Sequence, residues 1–316
     1  MQRFFSRSAK ITRVPELPDI VAYIEALEPR ILNQTIHDIR ISSPFLLRSV
    51  DPPLSEASGK QVTNLRRLGK RIVFGLEDEL FLVIHLMIAG RFHWKEKTTK
   101  ANRQTLATFI FPTGTLTLTE AGSKKRASMY FVRGEAELAR HDPGGLEVLE
   151  ADLESFKSRL TLENHTLKRA LTDPHFFSGI GNAYSDEILH AAGLSPLKLT
   201  TRLDDSEVRR LFEATLETLR FWRENLCREA REKFPEKVTA FREEMSVHGR
   251  YGKPCPKCRT PVQRIVYASN EANYCPTCQT GGRLLADRAL SRLLKADWPR
   301  TLEQLEEQRT KGRGNR

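Results

Sequence analysis

The chain has 316 residues, enough for two or three domains with cores of their own, so its stability need not rest on disulfide staples. Lys and Arg number 51 against 40 Asp and Glu, a formal charge of +11 that points to a polyanionic partner and ranks nucleic acid above a membrane surface. No apolar run approaches the roughly 20 residues of a membrane-spanning helix, and the longest, residues 80–86, already contains His85.

Residues 1–13 carry Arg3, Arg7, Lys10 and Arg13 and no acid. That composition suits an organellar transit segment, and it suits a start site assigned too far upstream equally well. Residues 1–14 are expected to be missing from the working protein, with position 14 as the initiator, because valine codons can act as bacterial starts and an initiator methionine before proline is removed. Phe4 and Phe5 would then be loosely placed. The segment's cations are few, so the basic character belongs to the rest of the chain.

After Pro15-Glu16-Leu17-Pro18 the spacing of Ile20, Ile24, Leu27 and Ile31 predicts an amphipathic helix. Pro18 suits its first turn, where no backbone N–H is missed. From Thr35 to about Val132 the texture becomes short apolar runs, at residues 36–41, 71–76, 80–88, 105–111 and 115–119, separated by turn signals such as Asp51-Pro52-Pro53 and Pro112-Thr113-Gly114. An antiparallel β-sandwich is predicted there. Asp142-Pro143-Gly144-Gly145 marks a boundary. Helical periodicity follows at residues 146–160, 165–171, 182–192 and 207–234, with a shorter stretch near Phe241, and Asp204 with Glu207 forms a capping box for the long helix. The fold class is α+β, with units expected at 15–145, 146–247 and 248–280 and a charged, partly helical tail over 281–316 whose Gly/Arg end should be disordered.

Four of the five cysteines fall in two pairs, Cys255-Pro-Lys-Cys258 and Cys275-Pro-Thr-Cys278, with sixteen residues between them. Each knuckle presents two thiolates on one tight turn, and the spacing fits a single tetrahedral zinc closed to other ligands, hence structural. A rubredoxin-type iron or a redox dithiol pair competes with this reading, although nothing nearby suggests electron transfer. Cys227, alone in the long helix, reads as a small packed hydrophobe.

Taken together, Pro-Glu-Leu-Pro, a β-rich first half, Gly179-Ile180-Gly181-Asn182 with Tyr184 and Glu187 opening a helix, and a terminal four-cysteine finger resemble the formamidopyrimidine-DNA glycosylase / endonuclease VIII family. The resemblance runs from Pro15 to about Gln279, and Leu17 favours the formamidopyrimidine branch. It implies a helix-two-turn-helix unit and a bifunctional glycosylase/lyase that excises oxidised purines (8-oxoguanine, formamidopyrimidines) from double-stranded DNA and cleaves the strand by β,δ-elimination. It also implies a monomer in the bacterial cytoplasm, or in an organelle if residues 1–14 are a transit segment. Pro15 matches the amine nucleophile and Glu16 the acid/base carboxylate; otherwise a Pro-Glu pair is an ordinary helix entry. Lys70 matches a lysine on the target phosphate, against a solvated turn charge, and His85 a groove-lining position, against a core histidine. Gly181 and Asn182 match a phosphate contact at a helix N-terminus, where free N–H groups and the dipole favour an anion. Glu187 matches a glutamate facing the active site.

Three departures stand out. The family's Met, Arg and Phe that fill the space of an everted base are not kept: the Met position holds Ile88, and Glu120-Ala121-Gly122-Ser123-Lys124-Lys125-Arg126 replaces the segment with the other two, so Lys124, Lys125 and Arg126 supply a basic loop instead. The arginine of the zinc hairpin aligns with Asn270. Pro15 is internal in the chain as written, and a tertiary amide is no nucleophile. A catalytically silent damaged-DNA-binding protein of the same fold is the alternative if Pro15 is never freed.

Overall fold

The structure, a computed structural model, describes residues 14–97, 101–121, 124–236, 242–267, 270–286 and 299–311. The expectations placed on residues 1–13, including Phe4 and Phe5, on the helix near Phe241 and on the Gly/Arg end lie outside these.

Helix α1 (Leu17–Ile31) starts at a reciprocal cap between Glu16 and Asp19 and buries Ile20, Ile24, Leu27 and Ile31, the positions its spacing singled out. Two four-stranded antiparallel sheets follow. One has the order β1 (Asp38–Ile41), β6 (Thr105–Phe111), β7 (Gly114–Glu120), β5 (Gly90–Lys95); the other has β2 (Val62–Leu68), β3 (Arg71–Leu76), β4 (Leu80–His85), β8 (Ser128–Arg133). Phe74 of one sheet meets Phe92 and Phe109 of the other at ring distances of 6.3 and 6.0 Å, which closes the sandwich interior. Strands β3 and β4 read as continuous apolar runs because both their faces are covered: Ile72 and Phe74 face the main core, while Val73, Phe81 and Val83 pack under Leu138 of helix α2 (Glu135–Ala139).

Two sequence expectations need correction. The apolar run at 80–88 ends as a strand at His85, because Met87 takes a positive φ of 53° and Gly90 donates to the Leu86 carbonyl at 2.9 Å. A Cβ on Gly90 would overlap that carbonyl, so the turn requires glycine. The run from Leu146 is also not helical from its start. Leu146 instead exchanges backbone bonds with Phe176 and Ser178, and helix α3 (Leu153–Leu160) begins only where Asp152 accepts from Ser155 N at 2.8 Å.

Helices α4 (Leu167–Thr172), α5 (Asn182–Ala192) and α6 (Asp205–Glu232) complete the second unit, and α6 carries the Asp204–Glu207 capping box. Helix α6 packs along α1, so one apolar core runs through sandwich and helices without a break. Cys227 is buried on α6, and that burial pushes its thiol pKa up. Strands β9 (Gln263–Tyr267) and β10 (Asn270–Tyr274) pair as a hairpin, followed by α7 (Pro276–Thr280) and, after residues 287–298, α8 (Leu302–Lys311).

Candidate active site and nucleic-acid interface

Pro15 is buried one residue ahead of the side chain that joins the two units. The Glu16 carboxylate accepts from Gly181 N at 2.6 Å, Ala183 N at 2.8 Å and Tyr184 N at 3.2 Å, capping α5 from the far end of the sequence. Leu17 N donates to the Gly179 carbonyl at 2.9 Å, which pins the start of α1 to the same loop. The two glycines of Gly-Ile-Gly answer different needs. Gly179 has φ of +78°, while a Cβ on Gly181 would stand 2.5 Å from Glu16 Cδ and 2.7 Å from Lys70 Nζ. In this structure the N-terminus of α5 receives the Glu16 carboxylate, with Lys70 against the same backbone.

Burial holds the Lys70 ammonium below the usual lysine range, opposed by the charge of Glu16. The next residue, Arg71, pairs in register with His85, which pairs with Ser128, so all three stand at one end of the second sheet. Burial first, then the charges of Arg71 and Lys70, lower the His85 pKa to about 4 and leave the ring neutral near pH 7. Ile88 sits partly exposed in the turn after β4. The loop before β8 is shaped by the buried Glu120, whose carboxylate accepts from Arg126 N and Ala127 N at 2.8 and 3.1 Å while Lys125 donates to its carbonyl. The side chains of Lys124 and Arg126 point to solvent. Lys70, Arg71, Lys124 and Arg126 have no side-chain hydrogen bond or ion pair among the described residues, so their donors stand open along one rim of the sheet.

One face of α5 does the opposite. Asn182 Nδ2 donates to the Glu271 carbonyl of β10 at 2.7 Å. Asp186, fully buried, accepts from Lys168 Nζ at 2.5 Å, from Asn273 N at 3.0 Å, and meets His248 Nδ1 at 2.8 Å. Glu187 accepts from the backbone of Ser246, Val247 and His248 at 2.7, 2.9 and 2.9 Å. Both its oxygens accept from the segment leading to the finger, so this carboxylate anchors residues 246–248 to α5. His190 Nε2 lies 3.2 Å from Cys255 Sγ. Residues 182, 186 and 190 repeat every four positions, a polar stripe along one face of the helix and the one signal that could have exposed this joint. Sequence reasoning also missed Arg67, which ties Gly69, Glu147 and Ser178 together across the two units.

The four Sγ atoms of Cys255, Cys258, Cys275 and Cys278 all lie within 4.8 Å of one another, with 3.9 Å between Cys255 and Cys278 and 3.3 Å between Cys258 and Cys275. A tetrahedral zinc with bonds of about 2.3 Å sets its thiolates roughly 3.8 Å apart, so the donor set fits, and four protein ligands leave no open position for chemistry. The metal is structural.

Residues 14–127 match the formamidopyrimidine-DNA glycosylase N-terminal domain, residues 145–222 the H2TH domain of the same enzymes, and residues 252–281 the zinc finger found in FPG and IleRS. The formamidopyrimidine-DNA glycosylase of Solibacter usitatus is 30% identical over 274 residues, covering 84% of this chain and 99% of the relative. That of Carboxydothermus hydrogenoformans is 29% identical over 272 residues, covering 84% and 100%. The crystal structure of MutM (Fpg) from Thermus thermophilus superposes with a TM-score of 0.72 at 30% identity, covering 84% of this chain and 98% of that one. Lactococcus lactis Fpg in complex with DNA containing an abasic site superposes with a TM-score of 0.74 at 23% identity, over 84% and 99%, a likeness of fold.

Proposed function

The chain belongs to the formamidopyrimidine-DNA glycosylase family, and on that premise we propose that it is a bifunctional glycosylase and abasic-site lyase acting on oxidised purines in duplex DNA, with Pro15 as nucleophile. The observation that carries this reading is the convergence of the Glu16 carboxylate and the Lys70 ammonium on the backbone of Gly181, directly beside Pro15. A free N-terminal proline is a rigid secondary amine, and an α-amino group keeps a useful unprotonated fraction near pH 7 where lysine does not. Its lone pair forms a bond to C1′ as the C1′–base bond breaks, and the base leaves with a proton. Glu16 takes the N–H proton that the amine loses on attack and delivers it to the ring oxygen as the sugar ring opens to an iminium. Loss of a C2′ proton expels the 3′ phosphate, and a second elimination expels the 5′ phosphate. Lys70 holds the target phosphate, and its depressed pKa rises when that anion neutralises the site.

This chemistry requires removal of the chain through Val14. The organisation that serves it is a catalytic unit over 15–145, a helical DNA-binding unit over 146–247, a finger over 248–280 and a tail over 281–316. Ile88, Lys124, Lys125 and Arg126, together with His85, form the duplex-facing rim. Gly181 and Asn182 set the turn under the reacting sugar, and Glu187 acts by holding residues 246–248. Lactococcus lactis Fpg has been captured with abasic-site DNA, which fits duplex DNA as the partner. Among the described residues no helix is long and apolar enough to cross a membrane. We take the protein to work as a monomer in the bacterial cytoplasm. The test is Glu16→Gln in protein that starts at Pro15, with released 8-oxoguanine quantified by mass spectrometry. Excision should vanish while duplex affinity persists; excision at the unmodified rate would show that Glu16 is misassigned.

A further inference from the structure

Phe45 is 69% exposed, an unusual position for a ring that has no aromatic partner among the described residues. It opens a segment that follows β8 along its free edge: Met129 N donates to the Leu46 carbonyl at 2.8 Å, Arg48 N donates to the Met129 carbonyl at 2.9 Å, and Leu47 bridges Met129 in the parallel sense. Because the two run in parallel, Phe45 stands at the same end of the sheet as Ala127, where the Lys124–Arg126 loop enters β8. The neighbouring strand ends at that edge are those of His85 and Arg71. At about 4.8 Å per strand, Phe45 lies roughly 15 Å across the rim from the strand of Lys70, within the footprint of a few base pairs.

The charges around it sharpen the reading. Arg48, Lys124 and Arg126 are exposed and have no side-chain hydrogen bond or ion pair among the described residues, while the nearby acid, Glu120, is buried under its own loop. Cations grip phosphates without regard to sequence, and an exposed ring offers a face for a base. The other large exposed hydrophobics lack this setting. Phe221 already has its edge against Trp222, at 5.5 Å, and Val50 lies farther along the segment, away from the rim.

We infer that Phe45 is the aromatic side chain this protein sets against a destacked base beside the everted nucleotide, serving where the 120–126 loop has no aromatic residue. The inference rests on the glycosylase reading above. Partial insertion of an apolar wedge unstacks a base step and kinks the duplex toward the protein, which eases eversion of the damaged nucleotide.

The experiment uses the full chain and a duplex with a tetrahydrofuran abasic analogue and 2-aminopurine in the flanking step, read by affinity and by 2-aminopurine fluorescence. The unmodified protein should bind and raise the fluorescence. Phe45→Ala should weaken binding by about tenfold, within the range for losing one aromatic–base stack, and abolish the rise. Phe45→Trp should restore both, with quenching of its own indole emission, and Val50→Ala should behave as the unmodified protein. Circular dichroism of Phe45→Ala should be unchanged because the ring is exposed. If Phe45→Ala matches the unmodified protein in affinity and fluorescence, the assignment of Phe45 falls while DNA binding stands. If the unmodified protein binds no such duplex, the glycosylase reading itself falls and takes this inference with it.

Discussion

At the rim of the second sheet Lys70 and Arg71 are largely withdrawn from water with no hydrogen-bond partner among the described residues, and burial lowers the pKa of both. Along α5 the buried carboxylates have partners: Asp186 holds Lys168, His248 and Asn273, and Glu187, although burial raises its pKa, takes three backbone donors. Glu16 opposes the shift at Lys70 and Asp142 that at Arg71, but neither makes a hydrogen bond or ion pair with the cation, so an anion from outside would meet open donors there. Matched charges, by contrast, fix geometry. The rim is built to be completed by a ligand, and α5 is built to hold the finger and the Glu16 loop in one frame.

The sharpest way to break this frame is to remove the metal. Chelation, or Cys255→Ser, should unfold the finger, because its thiolates and small apolar cluster have no other compact arrangement, and duplex binding should be lost with it. A chelated protein with undiminished DNA affinity in a gel-shift assay would contradict the role given to the joint. Next in size, Asp186→Ala leaves Lys168 and His248 facing each other without their carboxylate and should cost about 3–5 kcal/mol in urea unfolding. A loss under about 1 kcal/mol would show that this cluster is not what holds the finger to α5.

Lys70→Met reverses the pattern. It removes a desolvated cation that only the nearby charge of Glu16 opposes, so the melting temperature should stay level or rise, while excision should fall about 100-fold or more and the log–log salt dependence of binding should flatten by about 0.9. Parallel losses of stability and activity would put Lys70 in the same class as Asp186. The last test concerns pH. Burial, reinforced by the charge of Glu16 and opposed by the hydrogen bond from Glu16 N, raises the Asp19 carboxyl to about 7. The folded state then keeps a proton that the unfolded chain loses near pH 4, so this group's contribution to stability declines as pH rises from about 4 to about 7, by at most about 1.4 kcal/mol per unit, and is flat above. Asp19→Asn should remove that decline. Parallel stability–pH curves for the two proteins would contradict it.

How much of this was legible beforehand depends on whether the cause was local. The cysteine knuckles, the bounds of α5, the periodic face of α1 and the Asp204–Glu207 cap are written within a few residues of where they act, and all were readable. Strands β2 and β5 escaped because charged and polar residues interrupt their apolar positions and they depend on their neighbours for burial, while β8 offers only the short run Met129–Val132 beside the charged 124–126 loop. The partners of Asn182 and Glu187, Glu271 and residues 246–248, lie about 60 to 90 positions away, and no local pattern names them. Glu16 and Lys70, which crowd Gly181, come from the other unit, and nothing in the sequence around Gly181 announces them.

The central claim is that Pro15, once it is the N-terminus, is the nucleophile, and borohydride trapping tests it most directly. Protein beginning at Pro15 is incubated with a duplex carrying 8-oxoguanine and reduced, and the adduct is digested and located by mass spectrometry. A stable crosslink on the Pro15 peptide is expected, with none from the chain that retains Val14 or from Pro15→Gly. A crosslink of equal yield in either control, or one located on a lysine, would contradict the account.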